Sequence, residues 1–345
     1  MQQTGVKQTT DVETVDHDRP KTESAAKVFF KMMIEAPSIL WRLRNIKKVK
    51  STRHWFVSRN NEAVELIMFG VDDGKAKNLI AADFGEGKSR SLFDRSFKGL
   101  GRIIACTLDC YTFSVASRHQ LKKREATDYQ DGFEHLLFRS PEKNRFNGVS
   151  GYVVISGGGN DYFGGCVSEE FIKRCGVRAG TSISTFAFAV DEYEYVEVAH
   201  NDPNQHPNTK RILNDYFNYS QRFGNNPERN RELAIEGSPG TWAPKVKVPT
   251  LLVCGLDDNV VIHKRKVPAY DEKGELVRID VYYDRGTCQL NDIMTKSGRD
   301  VTFKPFGGEN IHAPPENWFR SLREMIGLVG AFIETYRFMK EHLKA

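Results

Sequence analysis

The chain has 345 residues, and its 50 basic and 45 acidic residues leave a formal net charge of +5. This near balance gives no reason to expect a nucleic-acid partner. No apolar run of the sequence reaches the roughly twenty residues that a helix needs to cross a bilayer, so no membrane span is expected. Length and composition together favour one large α/β domain and leave the oligomeric state unknown.

The cysteines predict a reducing compartment. There are six of them. Several lie in apolar runs, where a thiol behaves as a small buried hydrophobe, and none has the spacing of metal ligands. We therefore expect an intracellular protein, with the cytoplasm as the default location. The cysteines are Cys106, Cys110, Cys166, Cys175, Cys254 and Cys288.

The first half of the chain alternates between strand-like and helix-like segments. Residues 1–25 are mostly polar, and we predict a disordered tail ahead of a single domain over residues 26–345. Two alternating stretches within residues 51–69, HWFVS and AVELIMF, predict a hairpin. The segment NLIAADFGEG is apolar up to Asp83 and then opens into a glycine loop, and GLGRIIACTLD predicts a further buried strand.

The second half continues the alternation. It contains, in chain order, a helix over residues 129–138, a strand that ends in the turn of GYVVISGGGND, a short helix over residues 167–175, and a strand in SISTFAFAV. Residues 191–244 are rich in Asn, Pro, Tyr and charge, which is typical of a lid. Strands in VPTLLVCG and VTFKPF and a helix over residues 318–343 close the chain.

This order predicts an α/β-hydrolase fold: a mostly parallel, doubly wound sheet with a lid insertion between strands 6 and 7. A strand, a serine, three glycines and a helix in succession are typical of a turn that holds a nucleophile, so Ser156 is the candidate. Asp258 follows a later apolar strand, and His312 lies close to the carboxyl end. The order Ser, Asp, His is the one expected of this fold.

The three residues suggest a serine hydrolase. An imidazole must remove the serine proton, and a carboxylate must orient that imidazole. The tetrahedral intermediate needs amide donors, for which we expect the backbone N–H of Gly157 and that of Gly85 or Glu86. Such a site provides its own base and donors, so no metal or organic cofactor is expected.

Other assignments remain open at each position. Asp257 competes with Asp258 as the acid. Cys166 lies in a small-x-Cys-x-small pattern that could replace the serine, and Asp161 could also act as a nucleophile. His263 could replace His312 as the base only through a large loop excursion.

Several of these segments resemble the acyl-CoA thioesterases and bile acid-CoA:amino acid N-acyltransferases. The likeness lies in residues 131–185 with the serine turn, in DFGEG, in VPTLLVCGLDDN and in IHAPPENWFRSL. It implies an α/β-hydrolase domain with Ser156 as the nucleophile and Asp258 as the acid, acting on a small-molecule acyl thioester or ester. Serine at the turn favours water as the acyl acceptor.

The same resemblance raises an alternative. If Pro314 and Pro315 align with the double proline of that family, Asn310 takes the position of the catalytic histidine and His312 lies two residues further on. An asparagine cannot accept the serine proton, so a chain without a working base would be a binding protein with a hydrolase fold.

Overall fold

The structure is a computed structural model. It describes residues 13–83, 90–116, 127–155, 159–191, 231–258, 261–307 and 322–344.

Strands of the described residues form two sheets. The larger sheet has eight strands in the order β11-β8-β7-β6-β4-β5-β3-β2, and the smaller has three in the order β1-β10-β9. The strands are β1 Glu13–His17, β2 Lys50–Val57, β3 Ala63–Gly70, β4 Lys77–Asp83, β5 Tyr111–Ala116, β6 Phe146–Ile155, β7 Val177–Ile183, β8 Thr250–Gly255, β9 Arg265–Tyr270, β10 Leu276–Tyr282 and β11 Val301–Phe306.

Helices cover both faces of the larger sheet. The α-helices are α1 Ala25–Leu43, α2 Arg90–Leu108, α3 Asp128–Glu134, α4 Gly159–Gly165, α5 Glu169–Cys175, α6 Arg231–Glu236, α7 Pro239–Trp242, α8 Gly286–Lys296 and α9 Leu322–His342. A π-turn over His135–Arg139 continues α3, and 3₁₀ turns occupy Ile46–Lys48, Lys143–Arg145 and Ala243–Lys245.

The central strand β6 shows why the sheet is covered on two sides. Its side chains alternate between the faces, and nearly all of them are buried. Tyr152 and Val154 pack in the core cluster that contains residues of α3, α4 and α5. Val153 packs with Met339 of α9 on the opposite face. A strand with two buried faces reads as a continuous apolar run, which is the pattern expected in a parallel sheet.

Most of the predicted sheet is confirmed. β2 and β3 form the expected antiparallel hairpin. β4, β6, β7, β8 and β11 pair in parallel with their neighbours. The insertion predicted between strands 6 and 7 lies between β7 and β8, which are the sixth and seventh strands of the larger sheet in chain order. Residues 192–230 of the proposed lid lie outside the described residues.

One predicted strand is wrong, and another has different bounds from those expected. The segment predicted as a strand over residues 99–109 forms the carboxyl half of α2, which ends at Leu108, and the strand that follows it is β5. A short apolar run fits a buried strand and a buried helix equally well, so periodicity alone could not separate them. The strand expected in residues 182–190 is β7, which begins earlier, at Val177, and ends at Ile183.

The predicted disordered tail is wrong over Glu13–His17. These residues form β1, which pairs in parallel with β10. The His17 ring stacks on Tyr282, and its Nε2 lies 2.8 Å from Asp280 Oδ1. Residues 13–17 are mostly polar, and their order comes from partners more than 250 positions away in the chain. Composition therefore could not reveal it.

No helix of the described residues is both long enough and apolar enough to span a bilayer. All six cysteines are buried free thiols, which confirms their predicted role as small buried side chains.

Candidate active site

The described residues on either side of the predicted nucleophile form a strand and a helix. β6 ends at Ile155, and α4 begins at Gly159. A side chain at Gly159 would collide with Thr185, so glycine permits α4 to start directly against the segment after β7. Ser156 and Gly157 themselves lie outside the described residues.

The other strand ends also agree with the expected layout. β4 pairs with β6 so that Asp83 lies opposite Val154. β4 and β6 therefore end side by side at the same edge of the sheet. The candidate oxyanion donors that follow β4, Gly85 and Glu86, lie outside the described residues, as do His312 and Asn310.

Asp258 is buried in the turn after β8. Its backbone N–H donates to the Gly255 carbonyl at 3.0 Å. Its Oδ1 accepts a hydrogen bond from the Val261 N–H at 3.2 Å. The carboxylate is therefore fixed by the backbone on one side and points into the protein.

Asp257 points the other way. Its Oδ1 accepts a hydrogen bond from Lys264 Nζ at 2.8 Å, and its Oδ2 lies 3.7 Å from the Arg19 guanidinium. Of the two adjacent acids, Asp257 belongs to a partly exposed ion-pair cluster, whereas Asp258 is the one held at the carboxyl edge of the sheet. The sequence could not separate them, because the geometry of this turn decides which carboxylate points inward.

His263 is a neighbour of Asp258 that the sequence argument did not place there. The imidazole is completely buried, and its Nε2 lies 4.0 Å from Asp258 Oδ2. Its Nδ1 accepts a hydrogen bond from the Thr287 N–H at 3.1 Å. Because a backbone N–H can only donate, Nδ1 carries no proton, and the neutral ring carries its proton on Nε2, which faces the carboxylate. The position of His263 shortly after Asp258 in the same loop was the available signal.

Buried hydroxyl groups connect Asp258 and His263 to the segment after β7. Thr287 Oγ1 donates to the Thr185 carbonyl at 2.9 Å and accepts from the Thr185 N–H at 3.0 Å. Thr185 Oγ1 in turn lies 2.6 Å from Ser182 Oγ. The start of α4, the segment after β7, His263 and the start of α8 therefore lie together at one edge of the sheet.

Ser184 adds backbone strain at the same edge. Its φ is 47°, a left-handed conformation that is uncommon for residues other than glycine. Its N–H donates to the Val253 carbonyl at 2.8 Å, which holds the segment against β8. Strain of this kind costs on the order of 1–3 kcal/mol and tends to occur at functional sites.

Cys166 does not have the environment of a nucleophile. It is completely buried in the core cluster with Tyr152 and Tyr162, and burial raises the pKa of its thiol well above the usual range. A nucleophilic cysteine reacts as the thiolate, which needs access and an electropositive neighbourhood. This environment argues against the alternative that used Cys166. Asp161 is also buried, in the first turn of α4.

In the part of the chain that the structure describes, no group of three or more His, Cys, Asp or Glu side chains is arranged to hold a metal ion.

Solved structures with the same architecture are numerous. The chain superposes on the acylaminoacyl peptidase of Pyrococcus horikoshii with a TM-score of 0.56 and 16% identity, covering 88% of this chain and 43% of the peptidase. The chain has the α/β-hydrolase fold. The chain spans less than half the length of the peptidase.

Two carboxylesterases match over nearly their whole length. The carboxyl esterase 2 of the fungus Tuber melanosporum has a TM-score of 0.55 and 12% identity, with 96% of this chain and 93% of the esterase covered. The metagenomic carboxylesterase EstE1 has a TM-score of 0.56 and 14% identity, with 94% and 99% covered. Identities this low establish the fold and leave the activity open. No model of a known protein family matches the chain, and no curated protein matches it.

Proposed function

We propose that this protein is a serine hydrolase that cleaves esters or thioesters through an acyl-enzyme. Ser156 is the nucleophile, His312 the base and Asp258 the acid. The observation that carries the proposal is the buried carboxylate of Asp258 at the end of β8, on the same sheet edge where β6 ends one residue before Ser156. Esterases and a peptidase share this architecture, which agrees with such a site.

In the proposed reaction, Ser156 Oγ attacks the acyl carbon while His312 removes its proton. The carbonyl oxygen becomes negative and is held by the backbone N–H of Gly157 and of Gly85 or Glu86, a contribution worth on the order of 10²–10³ in rate per donor. His312 then gives the proton to the departing alcohol or thiol. Water repeats the sequence, releases the acid and restores the serine.

Asp258 stabilises the imidazolium that forms at His312 in both steps. The Val261 N–H donates a hydrogen bond to one oxygen of its carboxylate, and the Nε2 of His263 lies 4.0 Å from the other oxygen. In this scheme His263 is a positioning residue. It is unsuited to be the base, because Nδ1 is occupied by the Thr287 N–H and Nε2 faces Asp258.

For the substrate we propose an acyl-CoA thioester. The likeness of the serine turn, the acid strand and the double-proline segment to the acyl-CoA thioesterases supports this choice. A serine in place of the transferase cysteine favours hydrolysis over transfer to an amino acid. Residues 191–244 would form the lid over the acyl chain, and the cytoplasm would supply acyl-CoA.

The test is an assay of the purified protein with an activated short-chain ester and with a panel of acyl-CoAs. Ser156→Ala and His312→Ala are each expected to lower kcat by on the order of 10³-fold or more, since both act on the reacting atoms. Cys166→Ala and Asn310→Ala are the matched controls and should leave kcat within a few-fold of wild type.

Three outcomes would contradict parts of the proposal. Full activity of Ser156→Ala would remove the serine mechanism. Loss of activity in Asn310→Ala but not in His312→Ala would remove His312 as the base. Ester hydrolysis without acyl-CoA hydrolysis would remove the thioester, and acyl-CoA binding without any turnover would select the binding protein with a hydrolase fold.

A further inference from the structure

A surface helix normally turns its apolar residues towards the protein and its polar residues towards solvent. Helix α1 has the reverse arrangement. Its polar residues face the protein: Lys31 Nζ donates to Glu334 Oε1 of α9 at 2.6 Å, and Ser38 Oγ lies 3.2 Å from the Tyr336 hydroxyl. Glu35 lies 3.9 Å from the Arg337 guanidinium and 3.7 Å from Lys340 Nζ, both on α9. These contacts fix the rotation of α1 about its axis.

The opposite face of α1 is entirely apolar and points to solvent. Every exposed residue between Val28 and Leu43 is hydrophobic. The six large ones retain between 55% and 67% of their accessible surface; they are Phe29, Phe30, Met33, Ile34, Leu40 and Trp41. The stripe extends over about 18 Å of helix at about 1.5 Å per residue. A contiguous patch of this kind marks an interaction surface, whereas single exposed hydrophobes do not.

The exposed charges of the segment that carries this face have one sign. Between Lys21 and Lys50 every exposed charged residue is basic. The two acids of the segment, Glu23 and Glu35, are half-buried and form ion pairs with basic side chains. The exposed cations are Lys21 and Lys27 near the start of α1, and Arg44, Lys47, Lys48 and Lys50 beyond its end.

This charge pattern distinguishes between two possible partners of the apolar face of α1, a second copy of the chain and a membrane surface. If two copies paired through α1 in antiparallel fashion, Lys47 and Lys48 of one copy would face Lys21 and Lys27 of the other, and a parallel arrangement would also bring like charges together. Like charges placed opposite each other across an interface oppose association. An anionic bilayer surface complements both features, since it accepts apolar side chains among its acyl chains and cations at its headgroups.

We propose that α1 is a membrane-binding helix that lies in the interface of an anionic bilayer, with Phe30, Met33 and Trp41 in the acyl-chain boundary. Trp41 suits that depth because its ring is apolar with a polar edge. The Arg44 guanidinium lies 3.0 Å from the Trp41 ring centroid, so the aromatic ring and the first cation beyond it form one unit at the end of the stripe. The proposal does not depend on the hydrolase activity.

The experiment is co-sedimentation of the full chain with vesicles of phosphatidylcholine alone and of phosphatidylcholine with about one-third phosphatidylserine. We expect binding to the anionic vesicles, weaker binding to the neutral ones, and loss of that difference at about 1 M salt, where charges are screened within about 3 Å.

Two double variants separate the apolar and the charged contributions. Phe30→Gln with Trp41→Gln should lower partitioning at least about tenfold. Lys47→Glu with Lys48→Glu should lower it at least about thirtyfold on anionic vesicles, since the loss of each basic residue costs about a factor of five and each new carboxylate is repelled as well. The matched controls change exposed residues on β9, on β10 or in the turn between them: Tyr270→Gln with Val277→Gln, and Lys266→Glu with Lys273→Glu. They should bind as wild type does.

The proposal is overturned if wild type binds neither kind of vesicle, or if the control pairs lose as much binding as the α1 variants. It is also overturned if sedimentation velocity shows a dimer that Phe30→Gln with Trp41→Gln dissociates, because a second copy would then cover the face. All of the substituted residues are exposed, and urea unfolding of each variant checks that the fold is kept.

Discussion

Two regions bury polar side chains in this protein, and they do so differently. At the carboxyl edge of the sheet, Asp258, His263, Thr287 and Thr185 lie in the interior and contact backbone groups and one another. Between α1 and α9, long charged side chains such as Lys31 and Glu35 form ion pairs that remain partly exposed.

Because of this difference, each region constrains a different feature of the structure. Short side chains that are hydrogen-bonded to the backbone have few accessible conformations, so the first region holds the Asp258 carboxylate in a defined position. Long ion-paired side chains contribute modest energy but are directional, so the second region sets which face of α1 points outward. Substitutions in the first region should therefore affect chemistry and global stability, and those in the second should affect the docking of one helix.

The largest effect is expected at the acid. Asp258→Asn removes the charge that stabilises the imidazolium and should lower kcat by on the order of 10³–10⁴-fold while the protein remains folded. Steady-state kinetics with an activated ester measures it. The matched control is Asp257→Asn, which alters the ion-pair cluster with Lys264 and Arg19 and should retain activity within a few-fold. Equal losses in the two variants would show that neither acid has a specific role.

A backbone substitution tests how tightly the first region is packed. Gly286 has a φ of 52°, and a side chain there would collide with the Ile262 carbonyl and the His263 ring. Gly286→Ala should lower the free energy of unfolding by about 2–4 kcal/mol through strain and overpacking.

Urea unfolding of Gly286→Ala should be compared with Gly298→Ala. Gly298 has a φ of 65° but no atom within 4 Å of the added carbon. It therefore isolates the cost of the left-handed conformation, about 1–2 kcal/mol. If both variants lose the same stability, the contact with His263 does not matter.

A smaller effect is expected in the second region. Lys31→Ala removes the cation between Glu23 and Glu334. The partly buried carboxylate of Glu23 and the buried carboxylate of Glu334 are then left near each other, which should lower stability by about 1–2 kcal/mol. Lys27→Ala, on the exposed side of the same helix, should change stability by less than about 0.5 kcal/mol. A Lys31 variant as stable as the Lys27 variant would mean that these ion pairs do not hold α1 in place.

The smallest effect is a pH dependence. Burial tends to raise the pKa of Glu23, but Lys31 and Lys304 together lower it below the ordinary value of 4.5. A lowered folded-state pKa gives stability that is present above pH 4.5 and is lost as the pH falls through the folded-state value. Glu23→Gln should therefore be less stable than wild type by about 0.5 kcal/mol at neutral pH and should approach it in acid. Urea unfolding at both pH values measures this, with the exposed Glu272→Gln as control; a constant difference would contradict it.

The sequence was sufficient for much of the site's framework. The apolar run before Ser156 and the run before Asp258 predicted the strands β6 and β8, because a strand buried on both faces has a local signature. It could not choose between Asp257 and Asp258, since adjacent residues differ only in where the turn points them. It also did not place His263, whose position depends on the start of α8 and on the Thr287 N–H.

The sequence by itself determined the alternation of buried strands and helices, and with it the fold. This was possible because each segment has its own periodic pattern of apolar residues. Tertiary structure alone decided that the polar residues of β1 form a strand, that Asp258 faces His263, and that α1 turns its apolar side outward. Each of these depends on a partner far away in the chain: β10 for β1, α8 for His263 and α9 for α1. Local composition contains no information about such partners, and the free energy of those contacts outweighs the preference of the segment alone.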